Sequence, residues 1–283
     1  MITDQETNKV YISDKLKEFY PDFHGCFVEC LDDNKMEAAI LCGTEDVWCR
    51  DYMPVQSGID EFSLYKYEGG YLDREPEKIS KQKEIDWIEN HPVRDSSLRL
   101  DGGNVVNSKN KAIITKRVFS DNPGADDIIG TLADEFGIDR DNVIIIPEVP
   151  NDEFGHSDGM VRFLREDTVL VNKYDLNEED DPGFIQQLND ILTTHHLEPR
   201  MLPYNPYGNK TLIDASGIYI NYLHLKGLIV LPKFDLEEDQ AALEAMEMLS
   251  EEFFDSTPVV QLNSVDIAKK GGVLNCCTWT IKE

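Results

Sequence analysis

Five short stretches carry side chains that could do chemistry together. Cys276 lies in "GGVLNCCTW" from Gly271, His156 and Asp158 in "GHSDG", Asp51 in "WCRDYMP", Asp101 in "LDGGN" and Asn221 in "YINYL". They supply a thiol nucleophile, an acid–base group and several carboxylates. A thiol attacks as its thiolate, and a neighbouring His lowers its pKa or takes its proton. His156 stands out because Gly155 and Asp158 surround it at the start of a predicted strand. His195 and His196 end a predicted helix, His24 lies inside one, His91 precedes Pro92 and His224 falls at a predicted hairpin turn. Carboxylates around a Cys and a His argue against peptide or ester hydrolysis, which needs an oxyanion hole rather than anions. They suit a reacting group that is itself cationic and planar. A guanidinium fits, because paired carboxylates match its fork of N–H donors.

The elements that would position these residues repeat along the chain. "DGGNVVNSKNKAIITKRVF", "SDGMVRFLREDTVLVNKYD" and "SGIYINYLHLKGLIVLPKFD" each read as two strands joined by a short polar turn. Each is followed by an amphipathic helix and a short apolar strand, and the starts lie 56 to 59 residues apart. A fourth unit begins at Trp48, with a helix predicted over "EKISKQKEIDWIEN". The fifth is split: "GGVLNCCTWTI" supplies its first strand, and the N-terminal "NKVYIS", the helical "KLKEFYPDFHGCFVECL" and "EAAILCG" supply the rest. This predicts one domain over residues 1–283, a five-bladed α/β propeller of ββαβ repeats with pseudo-fivefold symmetry, its edges removed by closure. The chemical residues then share equivalent positions at the starts of first strands. In such a strand Cys276 and Cys277 would point to opposite faces.

Composition narrows the partners. Asp and Glu total 55 against 27 Lys and Arg, a net charge of −28, which repels nucleic acid and anionic lipid and concentrates small cations. The six cysteines show no zinc-like spacing. Cys26 and Cys30, at i and i+4, predict one buried helix face. No apolar run reaches 18 residues, so no membrane span is expected. The start is polar, and the reading is of a reduced cytoplasmic protein.

At these residues the chain resembles the guanidine-modifying superfamily, and within it the agmatine deiminase and bacterial (Porphyromonas-type) peptidylarginine deiminase branch. The matches are "WCRDYMP", "LDGGN", "GHSDGMVRF" and "GGVLNCCTW", in order over residues 48–279. The resemblance implies the five-bladed pentein fold and hydrolysis of a guanidine to a ureido product and ammonia. It implies that Cys276, selected over Cys277 by Thr278, attacks the guanidinium carbon. Asp51 and Asp158 would hold the guanidinium nitrogens, and His156 would protonate the departing ammonia and then activate water. Asp101 would orient His156 or bind substrate. Trp48, Asn104 and Asn221 are the other expected substrate contacts. No metal or organic cofactor is implied. The expected partner is a small cationic guanidine, with a homodimer left open. Three departures stand out: Asp101 where Glu is common, Asn275 where many agmatine deiminases have His, and a chain short enough to predict missing or altered covering loops.

The same constellation serves amidinotransferases, in which an amine replaces water. A noncatalytic propeller, like a ribosome-associated translation factor of similar architecture, is a reading of a different class. A redox role for the adjacent thiols is disfavoured by their opposed directions. For the substrate's tail, Arg50, Arg99 and Arg162 are the arginines adjacent to motif residues; the resemblance implies that Arg50 and Arg162 are scaffold ion-pair members, and no obvious carboxylate clamp is left. The acidic field then favours agmatine over arginine, with Glu68 a candidate partner for its amine.

Overall fold

The computed structural model describes residues 1–69, 78–175 and 181–283. Strand β1 (Lys9–Ser13) leads through α1 (Lys15–Phe19) and α2 (Pro21–Asp33) to β2 (Ala38–Leu41). Then come α3 (Cys49–Tyr52), β3 (Val55–Gly58), β4 (Glu61–Lys66), α4 (Asp86–Asn90) and β5 (Arg94–Arg99). A third group is β6 (Val106–Asn107), β7 (Ala112–Thr115), α5 (Arg117–Asp121), α6 (Ile128–Phe136) and β8 (Val143–Ile146). A fourth is β9 (Val161–Arg165), β10 (Thr168–Asn172), α7 (Pro182–Thr194) and β11 (Glu198–Leu202). The chain finishes with β12 (Leu223–Leu225), β13 (Leu228–Lys233), α8 (Asp239–Phe253), β14 (Val259–Asn263), α9 (Val265–Ala268) and β15 (Thr278–Ile281).

The fold is mixed α/β, with five small sheets among the described residues. Their orders are β15-β1-β2, β3-β4-β5, β6-β7-β8, β9-β10-β11 and β12-β13-β14. In every sheet the first strand is antiparallel to the second and the second parallel to the third. A parallel pair needs a crossover, and helices provide it. The split unit pairs as expected: Val10 of β1 faces Thr280 of β15 on one side and Ala38 of β2 on the other.

The middle strands explain where the core lies. "AIIT", "TVLVN" and "LIVLPK" are apolar runs rather than alternating ones, and nearly every residue in them is buried. That is the signature of a strand covered on both faces. The crossover helices bring one apolar stripe each, such as Phe184, Leu188 and Leu192 of α7 or Ala242, Met246 and Leu249 of α8. Side-chain caps fix two starts: Asp181 accepts from Gly183 N–H, and Asp127 from Gly130 N–H.

Several expected elements differ. The N-terminal helix is two helices, because Tyr20 precedes Pro21 and takes a non-helical conformation before Pro21 opens α2. The buried face of α2 is Phe23, Phe27 and Leu31, leaving Cys26 exposed and Cys30 half-buried. These larger apolar side chains outcompete the cysteines for the core. The helix expected over residues 77–90 is a 3-10 turn (Gln82–Glu84) and then α4, and Glu77 lies outside the described residues. The strand expected to end at Phe119 stops at Thr115, and Arg117–Asp121 forms α5; the helix expected after Phe119 starts only at Ile128, as α6. Of the helix predicted after Asp175, residues 176–180 lie outside the described residues, and α7 begins at Pro182. His224 is in β12 rather than in the turn, buried against the Phe254 ring.

Candidate active site

The chemical residues do not lie in the first strands, as expected, but in the tight turns just before them. Asp51 is in α3, a single turn ahead of β3. Asp101 caps the 3-10 turn Gly102–Asn104 ahead of β6, and His156 caps the 3-10 turn Ser157–Gly159 ahead of β9. Asn221 sits in a bend ahead of β12, and Cys276 in turns ahead of β15. Gly, Asn, Asp and Ser are abundant in these segments, and their side chains and backbone freedom favour turns over pleated strand.

Contacts between the turns assemble one site. His156 Nε2 lies 3.1 Å from Asp101 Oδ2, and Nδ1 lies 3.6 Å from Asp51 Oδ1. Gly103 N–H donates to that same Asp51 oxygen at 3.0 Å. A Cβ on Gly103 would stand 2.7 Å from Asp51 Oδ1 and 2.9 Å from His156 Nδ1, so only glycine allows this approach. Asn221 Oδ1 accepts from the backbone N–H of Asn275 at 3.1 Å and of Cys276 at 3.3 Å, and lies 3.3 Å from Cys276 Sγ. Asp158 Oδ2 faces Cys276 Sγ at 3.7 Å and accepts from Asn275 Nδ2 at 2.6 Å. Turns from all five sheets therefore meet at one place.

A cavity of about 390 Å³ opens onto it, lined by Trp48, Asp51, His156, Asp158, Asn221 and Cys276 among others. Two expected site residues lie elsewhere. Asp101 reaches the site through His156 rather than through the cavity lining. Asn104, expected against substrate, is buried behind it. Its Oδ1 accepts from Thr115 N–H at 3.0 Å and Ser157 N–H at 3.2 Å, so it ties the Asp101 turn to the His156 turn.

The electrostatics are those of closely packed anions. Burial alone would discharge His156, but Asp51, Asp101 and Asp158 outweigh it and raise its pKa from 6.5 to about 10. The thiol of Cys276 is pushed well above its ordinary value, first by burial and then by Asp158 and Asp51. This differs from the expected picture of a His lowering the thiol's pKa, because Asp158, 3.7 Å from Sγ, and Asp51 act with burial to raise it. Cys277 is separated from Cys276 as expected, though by a turn rather than by strand alternation. It is fully buried in the core, and burial raises its thiol to about 12. Ligand atoms of Asp51, Asp101 and His156 lie within 4.8 Å of one another, the spacing of a metal cluster. The two carboxylates flank opposite ring nitrogens, however, so the arrangement is that of a clamped imidazolium.

The arginines act as scaffold. Arg50 donates to Asn275 O and Thr280 Oγ1, and Arg162 to Asp4 Oδ2 and Tyr222 O. Arg99 pairs with Glu68 at 2.5 Å, and Glu68, expected beside the substrate's amine, does not line the cavity. A loop over residues 204–217 walls the outer part of the cavity. Its base is a bridge between Tyr204 and Ile218 and a bond from Asn205 N–H to Gly217 O. Gly217, at φ +85°, leaves no room for a Cβ, which would stand 2.0 Å from Asn205 O. Asn209 Nδ2 braces the interior by donating to Asp214 O and Ser216 O. Sequence reading passed over Lys210 and Asp214 on this loop, because neither occupies a repeat position.

The model of the Porphyromonas-type peptidyl-arginine deiminase family matches residues 2–281. Among solved structures, the agmatine deiminase of C. jejuni superimposes with a TM-score of 0.77 at 14% identity, over 100% of this chain and 95% of that one. The agmatine deiminase of Enterococcus faecalis gives 0.76 at 16%, over 100% and 95%. DDAH from Pseudomonas aeruginosa is more distant, at 0.60 and 10%, over 97% and 99%. No curated protein matches the chain in sequence.

Proposed function

Because this chain belongs to the Porphyromonas-type peptidyl-arginine deiminase family, whose members cleave guanidino C–N bonds hydrolytically through a covalent cysteine, we propose that Cys276, His156, Asp51 and Asp158 are its deiminase machinery. The observation that carries this reading is Cys276 Sγ lying 3.7 Å from Asp158 Oδ2 in the cavity that His156 and Asp51 also line.

The guanidinium sits between Asp51 and Asp158, which accept its N–H groups. In the empty site those carboxylates hold the thiol protonated. The arriving cation offsets their field, so that the thiol releases its proton to solvent, and places an electrophilic carbon beside the resulting thiolate. Sγ bonds to that carbon. The C–N bond to an unsubstituted nitrogen breaks, and the His156 imidazolium supplies the proton that lets ammonia leave. The neutral imidazole then takes a proton from water as the water oxygen attacks the thiouronium carbon. Expulsion of the Cys276 sulfur yields the ureido product, and solvent exchange resets both groups. Asp101 keeps the ring oriented and charged for the first half. Trp48 and Asn221 bound the space around the guanidinium.

We read the five sheets as the blades of a closed ring, with these turns near its axis. Support comes from the common strand order in all five and from both chain ends pairing in one sheet. The test is incubation with a panel of guanidines, scoring ureido product and ammonia for wild type and Cys276→Ala. Stoichiometric ureido product and ammonia from wild type alone is expected. Turnover only with an added acceptor amine would make the protein an amidinotransferase, and no turnover of any guanidine would remove the assignment.

A further inference from the structure

With the guanidinium held at Asp51, Asp158 and Cys276, the substrate's tail must run through the outer part of the cavity. That part is walled by residues 149–154 and by the loop 204–217. Phe154 and Ile213 offer apolar surface to methylene groups there. Three charged side chains line the same walls: Asp152, Lys210 and Asp214. Lys210 is exposed, and its ammonium has no hydrogen-bond or ion-pair partner among the described residues. Asp152 uses Oδ1 to accept from Phe154 N–H at 2.9 Å, and Asp214 uses Oδ1 to accept from Ser216 N–H at 3.0 Å. Each keeps Oδ2 without a partner among the described residues. The two loops hold all three groups on built turns.

The mouth thus presents both signs of charge. Agmatine would engage the carboxylates but bring its ammonium toward that of Lys210. A peptide ending in arginine would engage Lys210 and leave the carboxylates unanswered. An α-amino acid head carries a carboxylate and an ammonium on one carbon and answers both. We infer that the cavity mouth recognises an α-amino acid head, so that the substrate is a free arginine-like guanidine, its carboxylate on Lys210 and its ammonium on Asp152 and Asp214. This rests on the deiminase reading above. The tail has no net charge, so the overall negative field does not exclude it, and that field is screened beyond about 8 Å at physiological salt.

Four substrates separate the groups: L-arginine, agmatine without the carboxylate, 5-guanidinopentanoate without the ammonium, and a peptide with C-terminal arginine. In wild type, kcat/KM for L-arginine is expected to exceed that for each of the others by about tenfold, the scale of one partly exposed charge contact. Lys210→Met is expected to lower the arginine-to-agmatine ratio of kcat/KM by about tenfold, mostly through KM. Lys210→Arg should retain most of the ratio, because it keeps the charge. Asp214→Asn should lower the ratio of arginine to 5-guanidinopentanoate. A wild-type preference for agmatine or for the peptide, or a ratio that Lys210→Met leaves unmoved, overturns the inference while leaving the deiminase reading intact. Failure of wild type to deiminate any of the four removes both.

Discussion

Asn275 donates from Nδ2 to Asp158 Oδ2 at 2.6 Å, and that same oxygen faces Cys276 Sγ at 3.7 Å. Asn275 is buried and immediately precedes Cys276, so one turn carries both the thiol and the group that aims the carboxylate beside it. A hydrogen bond to a charged acceptor contributes about 1.5–3 kcal/mol.

Asn275→Ala is therefore expected to lower kcat/KM by roughly 10- to 100-fold with the fold retained. Asn275→Asp should do worse, because it sets a second carboxylate against Asp158 and raises the thiol further. Steady-state kinetics with a circular dichroism control decides the matter. An Asn275→Asp enzyme as active as wild type would show that the contact does not position Asp158.

The two adjacent cysteines should separate cleanly. Cys276→Ala is expected to lose turnover by about 10⁴-fold or more, as removal of a covalent nucleophile does. Cys277→Ala should keep most turnover and lose stability on the order of 1 kcal/mol, because it only trims a buried side chain. Mass spectrometry after a haloacetamidine probe should place the adduct on Cys276. An adduct on Cys277 would transfer the nucleophile's role to the neighbouring thiol.

Much of the candidate site is legible in the sequence. Asp51, His156, Asp158, Asn221 and Cys276 are readable because they cluster at equivalent places in four of the repeating units, and the structure brings all five into one cavity. Local conformation was less legible. The strand pattern runs backwards across Gly102, Gly103 and Gly159 in the sequence, yet the chain turns there. Asn104 and Asn221 looked alike in sequence, yet the first holds two backbone N–H groups behind the site and the second lines it. Only the direction of each side chain separates them. Lys210 and Asp214 were missed because a loop folded by its own internal bonds leaves no periodic trace.

Asp101 should act through the charge of His156. Its carboxylate is one of three that raise the imidazole to about 10 against burial, so Asp101→Asn lowers that value. The alkaline limb of kcat should then move to lower pH, with more activity surviving near neutrality than at pH 9. The stability sign is also fixed. A folded pKa raised from 6.5 to about 10 contributes stability that is complete below 6.5 and lost as pH climbs toward 10. Thermal unfolding between pH 6.5 and 10 should show that decline in wild type and a shallower one in Asp101→Asn. Identical pH profiles for the two proteins would mean that Asp101 does not set the ring's charge.

The last expectation concerns how the thiol is activated. Burial, Asp158 and Asp51 all push Cys276 well above the ordinary thiol value, so the empty site holds little thiolate at neutral pH. A neutral alkylating agent meets that resting state. Its rate at Cys276 should rise about tenfold per pH unit from 7 to 9 without levelling, as the thiolate fraction does below its pKa. A cationic haloacetamidine differs, because its amidinium enters between Asp51 and Asp158 and cancels the field that protects the proton. It should react far faster at pH 7, with a flatter pH profile, and high salt should narrow its advantage by screening the attraction. Rates are read by quantifying labelled Cys276 peptide, with Cys276→Ala setting the background from exposed Cys26 and Cys42. A plateau below pH 8 with the neutral reagent would mean that the thiol is already ionised in the empty site, and activation by the arriving cation would have to be given up.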